Sequence, residues 1–361
     1  MNETTPNKME DEIKNNSELL FIYEAKMCNP NGDPDDENKP RMDYNRNINL
    51  VSDVRLKRYI RDYLMDYYGK TIFVSKVGGE TVDATNRLKK LIEENKEEIE
   101  ADEELKDLFD KNRPNEKNLS KHLPWLLSKL TDVRFFGATM PLKSEVGKGA
   151  SITFTGPIQF NWGHSLNKVT GSMDSSTITS TFAGAGKDYS TMGKDYRVDY
   201  SLIAFHGIIS AKRAKYTKLT GGDINLFDDA MIHAIPLEAT TRSKTGQHPL
   251  LYIRVEYNTP EFFLGDLRRY VKIADKDGKE MNFDESAKIG STEDYKLDLT
   301  KLKKKLEEHK DKIRDIYFWK NQDLNTIGWE LKNGNKWVAD GQKEIKIIEL
   351  PKPGKDTQST K

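Results

Sequence analysis

Residues 51–68, VSDVRLKRYIRDYLMDYY, contain the clearest pattern in the chain. At about 100° per residue, they place apolar and basic side chains on opposite sides of a helix predicted over 53–68. The apolar side comprises Leu56, Tyr59, Ile60, Tyr63, Leu64 and Tyr67. The basic side comprises Arg55, Lys57, Arg58 and Arg61. Ser52 is a good N-cap, and Asp53 lies near the positive end of the helix dipole. We therefore expect a helix that buries its apolar side against a sheet and turns its basic side outward.

The segments around this helix predict an α+β fold. Strand-like segments rich in β-branched and aromatic residues occur at 18–28, 133–138, 151–160, 198–209, 249–257 and 344–350. Helical patterns occur at 223–235 and 299–317, the second with Leu302, Leu306, Ile313 and Ile316 on one side. The core order is strand, helix, strands, helix, strand, which is the order of a ferredoxin-like or RNA-recognition-type sandwich.

Two long segments interrupt this order. Residues from about 83 to 130 are charged and helical in pattern, and they predict an acidic helical insertion on the surface. Residues 163–197 are rich in Gly, Ser and Thr and too long for an ordinary turn, so they predict a protruding loop or extended hairpin. Residues 1–17 predict a disordered N-terminus, and residues 351–361 predict a flexible tail.

The composition narrows the class of protein. The 361 residues include 58 Lys and Arg against 58 Asp and Glu, so any anion-binding surface must be local. Cys28 is the only cysteine, which excludes an intrachain disulfide and fits a cytoplasmic protein. No apolar stretch reaches the length of a membrane helix, and the N-terminus lacks the apolar segment of a signal peptide. One Cys and six scattered His make a structural zinc site unexpected.

Positive charge concentrates in two places. The first is the basic side of the helix at 53–68, together with the preceding loop, which carries Asn29, Asn31, Arg41 and Arg46. A helix N-terminus beside such a loop presents free backbone N–H groups that suit phosphate oxygens. The second is a basic strand end within 205–222, which carries Lys212, Arg213 and Lys215. Two such clusters in a neutral chain predict a track for a nucleic-acid backbone, and solvated faces without a partner are the alternative.

The polar segment 163–197 fits the same function. Its hydroxyl and amide groups suit contacts to phosphate and sugar that do not read bases. Met173, Ile178 and Met192 could wedge against bases. An ordinary surface loop is the alternative.

Motifs for catalysis or cofactor binding are absent from the sequence. The chain has no GxxxxGK[ST], GxSxG or HExxH sequence, and its histidines show no metal-ligand spacing. The acidic run Asp33, Asp35, Asp36 and Glu37 could hold a divalent cation for nuclease chemistry. Its spacing is not specific to metal sites, and a solvated turn is the simpler interpretation. We expect a protein without a cofactor or metal that is not an enzyme.

Several motifs follow one another in a fixed order: NPNGDPD (29–35), RMD (41–43), LVSDVRLKRYIRDYL (50–64), DVRFFGATMPL (132–142), TGPIQF (155–160) and STMGKDYRVDYSLIAFHGIISAKRA (190–214). In this order they resemble the CRISPR-associated Cas-seven family, and most closely its Csh-type backbone subunit of subtype I-B. The resemblance spans about residues 18–260. A single motif such as GDP is not specific, whereas the ordered set is.

The resemblance implies an RNA-recognition-motif-like (ferredoxin-like) palm over 18–350, with a helical fingers insertion at 70–130 and a β-hairpin thumb at 163–197. It also implies that copies stack along one guide RNA (crRNA) within the Cascade surveillance complex. The implied partners are crRNA, target DNA, other copies of the chain, other Cascade subunits and a separately recruited helicase-nuclease, with no membrane. Sequence would be read by base pairing between guide and target.

Carried onto matching positions, the resemblance assigns guide-phosphate contacts to Ser52, Arg55, Lys57 and Arg58, with Asn29 and Asn31 beside them. The thumb would contain Thr177, Ile178, Thr179, Met192 and Lys194. Related subunits of type III systems cut target RNA with an acidic loop residue. A metal-dependent target-RNA endonuclease using residues 33–37 is therefore one alternative, and a protein scaffold without RNA is another.

Overall fold

The computed structural model describes residues 12–75, 82–110, 113–141, 151–171, 173–183, 190–338 and 344–350. Within these ranges the side chains of 175–183 and 190–192 are not described. Most of the N-terminus predicted to be disordered, and the whole predicted tail at 351–361, lie outside the described residues.

Helices and strands occur in runs along the described residues, as is typical of an α+β fold. The helices are α1 (Asp53–Tyr68), α2 (Ala84–Glu94), α3 (Lys96–Ala101), α4 (Leu123–Lys129), α5 (Thr131–Phe136), α6 (Ala211–Thr217), α7 (Gly221–Glu238) and α8 (Thr300–Glu307). The strands are β1 (Ser17–Cys28), β2 (Gly32–Asp33), β3 (Lys39–Pro40), β4 (Met42–Asp43), β5 (Ile48–Val51), β6 (Phe109–Asp110), β7 (Arg113–Pro114), β8 (Gly137–Met140), β9 (Ile152–Thr155), β10 (Ile158–Phe160), β11 (Gly163–Ser165), β12 (Met173–Ala183), β13 (Ser190–Ile209), β14 (Gln247–Tyr257), β15 (Lys272–Ala274), β16 (Lys296–Asp298), β17 (Ile313–Lys320), β18 (Thr326–Ile327), β19 (Lys336–Val338) and β20 (Glu344–Glu349).

The chain forms two compact units. The first contains Met1–Asn15, Arg61–Gln159 and Ile209–Phe227. The second contains Asn16–Ile60, Phe160–Ile208 and Asp228–Lys361. Helices α1 and α7 each run through the division between the two.

The second unit is built on a large mixed sheet. Its strand order is β19-β20-β17-β14-β1-β13-β11-β5-β4. Strands β1 and β14 pair antiparallel, with Ser17 opposite Glu256, whereas β17 and β20 run parallel. The strands predicted at 18–28, 198–209 and 249–257 are therefore confirmed, and they lie side by side. Strand β1 is buried on both faces from Leu19 to Tyr23, which explains its continuous apolar sequence.

An extended hairpin lies within the predicted segment 163–197. Strand β12 pairs antiparallel with the first half of β13, and Met173 lies opposite Arg197 at the base of this pair. The start of the predicted segment is not part of this hairpin. It forms β11, which pairs with β5 and β13 inside the main sheet.

Helix α1 occupies the predicted residues 53–68. Five of the six apolar residues assigned to its inner side are buried, at 0–5% exposure, and Tyr67 is 55% exposed. The prediction that all four basic residues face outward is wrong for Lys57 and Arg61, which are each 9% exposed. Both are held inward by carboxylates, Lys57 by Asp53 at 2.9 Å and Arg61 by Asp132 at 3.0 Å.

The first unit has its own apolar core, to which helices α2, α4 and α5 contribute. The strand predicted at 133–138 is wrong, because residues 131–136 form helix α5. The side chains of Asp132, Val133, Phe135 and Phe136 are all buried, so the segment shows no helical periodicity in its sequence. Gly137, with φ +75°, ends the helix in a conformation that disfavours other residues.

The amphipathic helix predicted at 299–317 is only partly correct. Helix α8 ends at Glu307, and strand β17 begins at Ile313. Leu302 and Leu306 belong to the helix, whereas Ile313 and Ile316 lie in the sheet opposite Tyr257 and Val255. The four residues fit one helical face by spacing alone, because a seven-residue step returns to the same face of a helix.

The basic segment predicted as a strand end is instead helical. Strand β13 ends at Ile209, and the basic residues lie on helix α6 in the first unit. Ser210 caps this helix by accepting a hydrogen bond from the backbone N–H of Arg213 at 3.4 Å. Lys212, Arg213 and Lys215 are exposed, because Ala211, Ala214 and Thr217 supply the buried side.

Among the described residues, none of the helices is both long enough and apolar enough to span a membrane.

Candidate nucleic-acid interface

The N-terminus of α1 is joined to the loop after β1 by one asparagine. Asn31 Oδ1 accepts hydrogen bonds from the Ser52 backbone N–H at 2.8 Å and from the Ser52 hydroxyl at 2.9 Å. Ser52 Oγ in turn accepts from the backbone N–H of Arg55 at 3.3 Å, which confirms Ser52 as the N-cap. The loop and the positive end of the helix are therefore one structural element, as the sequence predicted.

Arg55 is the cation at this end of α1, and an aromatic ring holds it. Its guanidinium carbon lies 4.0 Å from the centroid of the Tyr59 ring, a close cation–π contact. The Tyr59 hydroxyl accepts a hydrogen bond from Gln247 Nε2 at 3.0 Å, which fixes the ring. Arg55 Nε is buried and has no hydrogen-bond partner within the described ranges. The side chain is thus positioned by stacking and retains donors for a ligand.

A polar cleft of about 490 Å³ opens beside Arg55 within the second unit. Its walls come from the loop after β1, helix α1, strand β13 and the loop before β14. The lining residues are Asn29, Asn31, Gly32, Glu37, Asn38, Arg55, Lys194, Asp195, Tyr196, Arg242, Ser243 and Lys244. Four cations face two carboxylates in this cleft, so its surplus charge is positive. Asn29, Asn31, Arg55 and Lys194, all proposed from the sequence, meet here.

The acidic run after β1 is tied into ion pairs. Asp33 pairs with Arg41 at 3.0 Å, and Asp36 pairs with Lys39 at 2.7 Å. Glu37 pairs with Lys194 at 2.7 Å and accepts a hydrogen bond from the Tyr196 hydroxyl. These two donors, Lys194 first, hold the pKa of Glu37 below its usual value. Within the described residues no group of three or more His, Cys, Asp or Glu is placed to hold a metal ion.

The loop before β14 is the part of the cleft that the sequence analysis missed. Lys244 Nζ donates a hydrogen bond to the backbone oxygen of Asn29 at 2.6 Å, and Asn29 N–H donates to the Ser243 oxygen at 2.7 Å. Burial, and then the nearby charge of Arg55, lower the pKa of Lys244 to about 8. The signal that could have found it is two cations in the short TRSKTG segment, before a strand that pairs with β1.

The other predicted palm residues do not line this cleft. Arg41 is paired with Asp33, and its guanidinium lies 5.8 Å from the ring centroid of the half-exposed Trp162. Arg46 is 76% exposed and lies 3.8 Å from Asp43. Arg58 is half-buried on α1. Lys57 and Arg61 are buried and paired as described above. The three basic residues of α6 belong to the first unit, whereas the cleft belongs to the second.

The predicted thumb residues lie on the hairpin of β12 and β13. In its register Thr177 is opposite Gly193, and Ile178 is opposite Met192. The side chains of Thr177, Ile178, Thr179 and Met192 lie outside the described residues. Met173 is 48% exposed at the base of the hairpin.

Comparison with known proteins gives both sequence and structural matches. The family described as CRISPR-associated protein Cas7 matches residues 15–300. A CRISPR-associated protein Cas7 of Haloferax volcanii is 32% identical over 316 residues, covering 84% of this chain and 86% of the relative. Two chains from solved structures titled "CRISPR RNA-guided surveillance complex, pre-nicking" and "CRISPR RNA-guided surveillance complex" are each 12% identical, with TM-scores of 0.44 and 0.42. Each match covers 87% of this chain, with 96% and 95% of the respective solved chains. At these TM-scores, only the sequence matches bear on identity.

Proposed function

This chain belongs to the CRISPR-associated protein Cas7 family, and from that membership we propose that it is a non-catalytic, crRNA-binding backbone subunit of a type I Cascade complex. The observation that carries the proposal is the positively charged cleft at the N-terminus of α1. There Arg55 is stacked on Tyr59 and makes no ion pair within the described residues.

The chemistry of this cleft suits a phosphate of the RNA backbone. The guanidinium of Arg55 is a donor that phosphate oxygens accept. The side-chain amides of Asn29 and Asn31, which donate to the backbone oxygens of Asn38 and Gly32, each have a second N–H. The cleft lining is almost entirely polar, and it lacks the stacked aromatic platform with which proteins read exposed bases. Binding through it would therefore be independent of RNA sequence, as expected of a protein that presents a guide for base pairing.

Within the type I complexes, we assign the chain to subtype I-B, and we assign its fold to a palm with fingers and a thumb. The neighbouring order β14-β1-β13, with α1 and α7 connecting these strands along the chain, supports a palm of the RNA-recognition type. Helices between residues 70 and 130 support the fingers. The hairpin within 163–197 supports the thumb, where Met173, Thr177, Ile178, Thr179, Met192 and Lys194 would contact the guide.

The proposed partners follow from this role. Copies of the chain would stack along one crRNA beside other Cascade subunits and present it to target DNA, and a separate helicase-nuclease would cut the DNA. The palm contacts would include Ser52, Arg55 and Arg58, with Arg41, Arg46 and the α6 residues Lys212, Arg213 and Lys215 as further candidates. Lys57 and Arg61 are weaker candidates, because their charges are already paired.

A metal-dependent ribonuclease remains the second candidate for the acidic loop. Three of its four carboxylates are engaged with Arg41, Lys39 and Lys194, which supports a role in holding the loop in place. A catalytic pair of metal ions needs several carboxylates free to coordinate.

One experiment separates the two candidates. We expect the purified chain to bind single-stranded RNAs of unrelated sequence with similar affinity and to leave them intact during incubation with Mg²⁺, as followed on denaturing gels. Asp33→Ala and Asp35→Ala should likewise leave the RNA intact. Cleavage by the wild type that is lost in either variant would establish the nuclease instead, and no binding of any RNA would refute the proposed function.

A further inference from the structure

The loop formed by residues 242–244 is fixed at the edge of the cleft. Its carbonyl at Ser243 accepts from the Asn29 N–H at 2.7 Å, and the nearby Gly246 oxygen accepts from the Lys26 N–H at 2.9 Å. Gly246 has φ +108°, and a Cβ at this position would lie 2.3 Å from the Lys26 oxygen. Only glycine allows the loop to approach β1 so closely, so this contact fixes the loop that carries Lys244.

Two cations in this cleft lack a counter-charge. Lys194 is paired with Glu37, and Arg242 lies 3.8 Å from Asp195. In the described part of the chain, neither Arg55 nor Lys244 forms an ion pair with a carboxylate. The two repel each other, since Arg55 contributes to the lowered pKa of Lys244. Half-buried like charges are unfavourable unless an anion lies near both.

The hydrogen bonds around these cations are also incomplete. The guanidinium of Arg55 makes no hydrogen bond to any described residue and is held through the Tyr59 ring. Lys244 donates to the Asn29 backbone oxygen, which leaves two of the three protons of its ammonium group available. Arg55 and Lys244 thus keep hydrogen-bond donors that an anion could accept, and neither is paired with a carboxylate among the described residues.

We infer that Arg55 and Lys244 hold one RNA backbone phosphate between them, which makes residues 242–244 an additional element of the RNA-binding surface. This inference rests on the proposed function. A phosphate oxygen supplies the missing negative charge to both cations at once. A guanidinium and an ammonium are the two side-chain groups that proteins use for backbone phosphates.

The experiment measures binding of a fluorescently labelled, unstructured single-stranded RNA at several salt concentrations. Lys244→Gln removes the charge but keeps an N–H donor for Asn29, and we expect it to lower RNA affinity about tenfold, as for the removal of one charge-assisted hydrogen bond. Its salt slope should fall by less than about 0.7, because Arg55 still holds the shared phosphate. Lys244→Arg keeps the charge and should retain most of the affinity. Lys303→Gln on α8, which makes the same charge change in a lysine 3.8 Å from Glu307, is the matched control.

Combining Lys244→Gln with Arg55→Ala tests whether the two share a phosphate. If they do, the loss in the double variant is smaller than the product of the two single losses. A multiplicative loss would overturn the shared phosphate. If Lys244→Gln and Lys303→Gln bind RNA with equal affinity, the inference is overturned. If Arg55→Ala still weakens binding in that case, the proposed function stands. The thermal unfolding of Lys244→Gln is also measured without RNA. If this variant melts well below the wild type and Lys244→Arg does not restore RNA affinity, Lys244 is structural and the inference is also overturned.

Discussion

Replacing Arg55 and Arg58 together by alanine is expected to weaken the binding of single-stranded RNA about a hundredfold. Each side chain is proposed to donate one charge-assisted hydrogen bond to the RNA, and the removal of one such bond costs about tenfold in affinity. The slope of log affinity against log salt concentration should become shallower by about 0.7 for each RNA phosphate that no longer binds a cation of the protein. Fluorescence anisotropy at several salt concentrations measures both quantities.

The matched control for this variant is Lys301→Ala with Lys304→Ala. These two lysines are exposed on α8, so the control makes the same change in net charge far along the chain from the cleft. It should change affinity much less than the arginine variant. If both double variants lose affinity equally, RNA binds through general charge attraction, and the assignment of α1 to the RNA surface is wrong.

Replacing Arg61 by methionine is expected to destabilise the fold by about 3 kcal/mol and to leave RNA affinity unchanged. Asp132 is 0% exposed, and its carboxylate accepts from Arg61 Nε at 3.0 Å and from the backbone N–H groups of Phe73 and Val74 at 2.8 and 3.2 Å. Without Arg61 a buried carboxylate loses its counter-ion, which costs about 3–5 kcal/mol in comparable pairs. Urea unfolding followed by circular dichroism measures the loss.

Lys96→Met is the control within the same unit. Lys96 pairs with Glu100 at 3.5 Å, with both side chains about half-exposed, so removing its charge should cost less than about 1 kcal/mol. The double variant Arg61→Met with Asp132→Leu should recover part of the lost stability, because it removes the uncompensated charge. An Arg61→Met protein as stable as the wild type but with weaker RNA binding would restore Arg61 to the RNA surface.

The local elements near α1 could be predicted from the sequence because their signals are local. The amphipathic period, the serine cap and the continuous apolar run of β1 each require only neighbouring residues. The direction of Lys57 and Arg61 could not be predicted in this way. Both are turned inward by carboxylates, and one of these, Asp132, lies 71 positions along the chain from its partner.

The errors elsewhere have related causes. Residues 131–136 are rich in aromatic and β-branched types, yet they form a helix. Asp132 accepts from the backbone N–H groups of residues 73 and 74, and Arg134 pairs with Asp223 at 2.7 Å. Around Glu308, the chain changes from helix to strand without Gly or Pro to mark it. Tertiary contacts override local pattern at both places.

The candidate site could be predicted only in part, for the same reason. The loop after β1 and the start of α1 lie close in sequence and were found. Lys244 joins them only because β14 pairs with β1, which brings a residue 215 positions away to the backbone oxygen of Asn29. Two cations in the short TRSKTG segment are the one sequence signal for Lys244, and its lack of a carboxylate partner among the described residues is visible only in the structure.

The most direct measurement of the central claim is to purify the chain with its complex from its native cells, extract the bound nucleic acid and sequence it. We expect crRNA with many different guide sequences, because the cleft is proposed to bind backbone phosphate without reading bases. The same preparation with Arg55→Ala and Arg58→Ala should carry less RNA per chain. A complex that contains this chain but no crRNA would contradict the account.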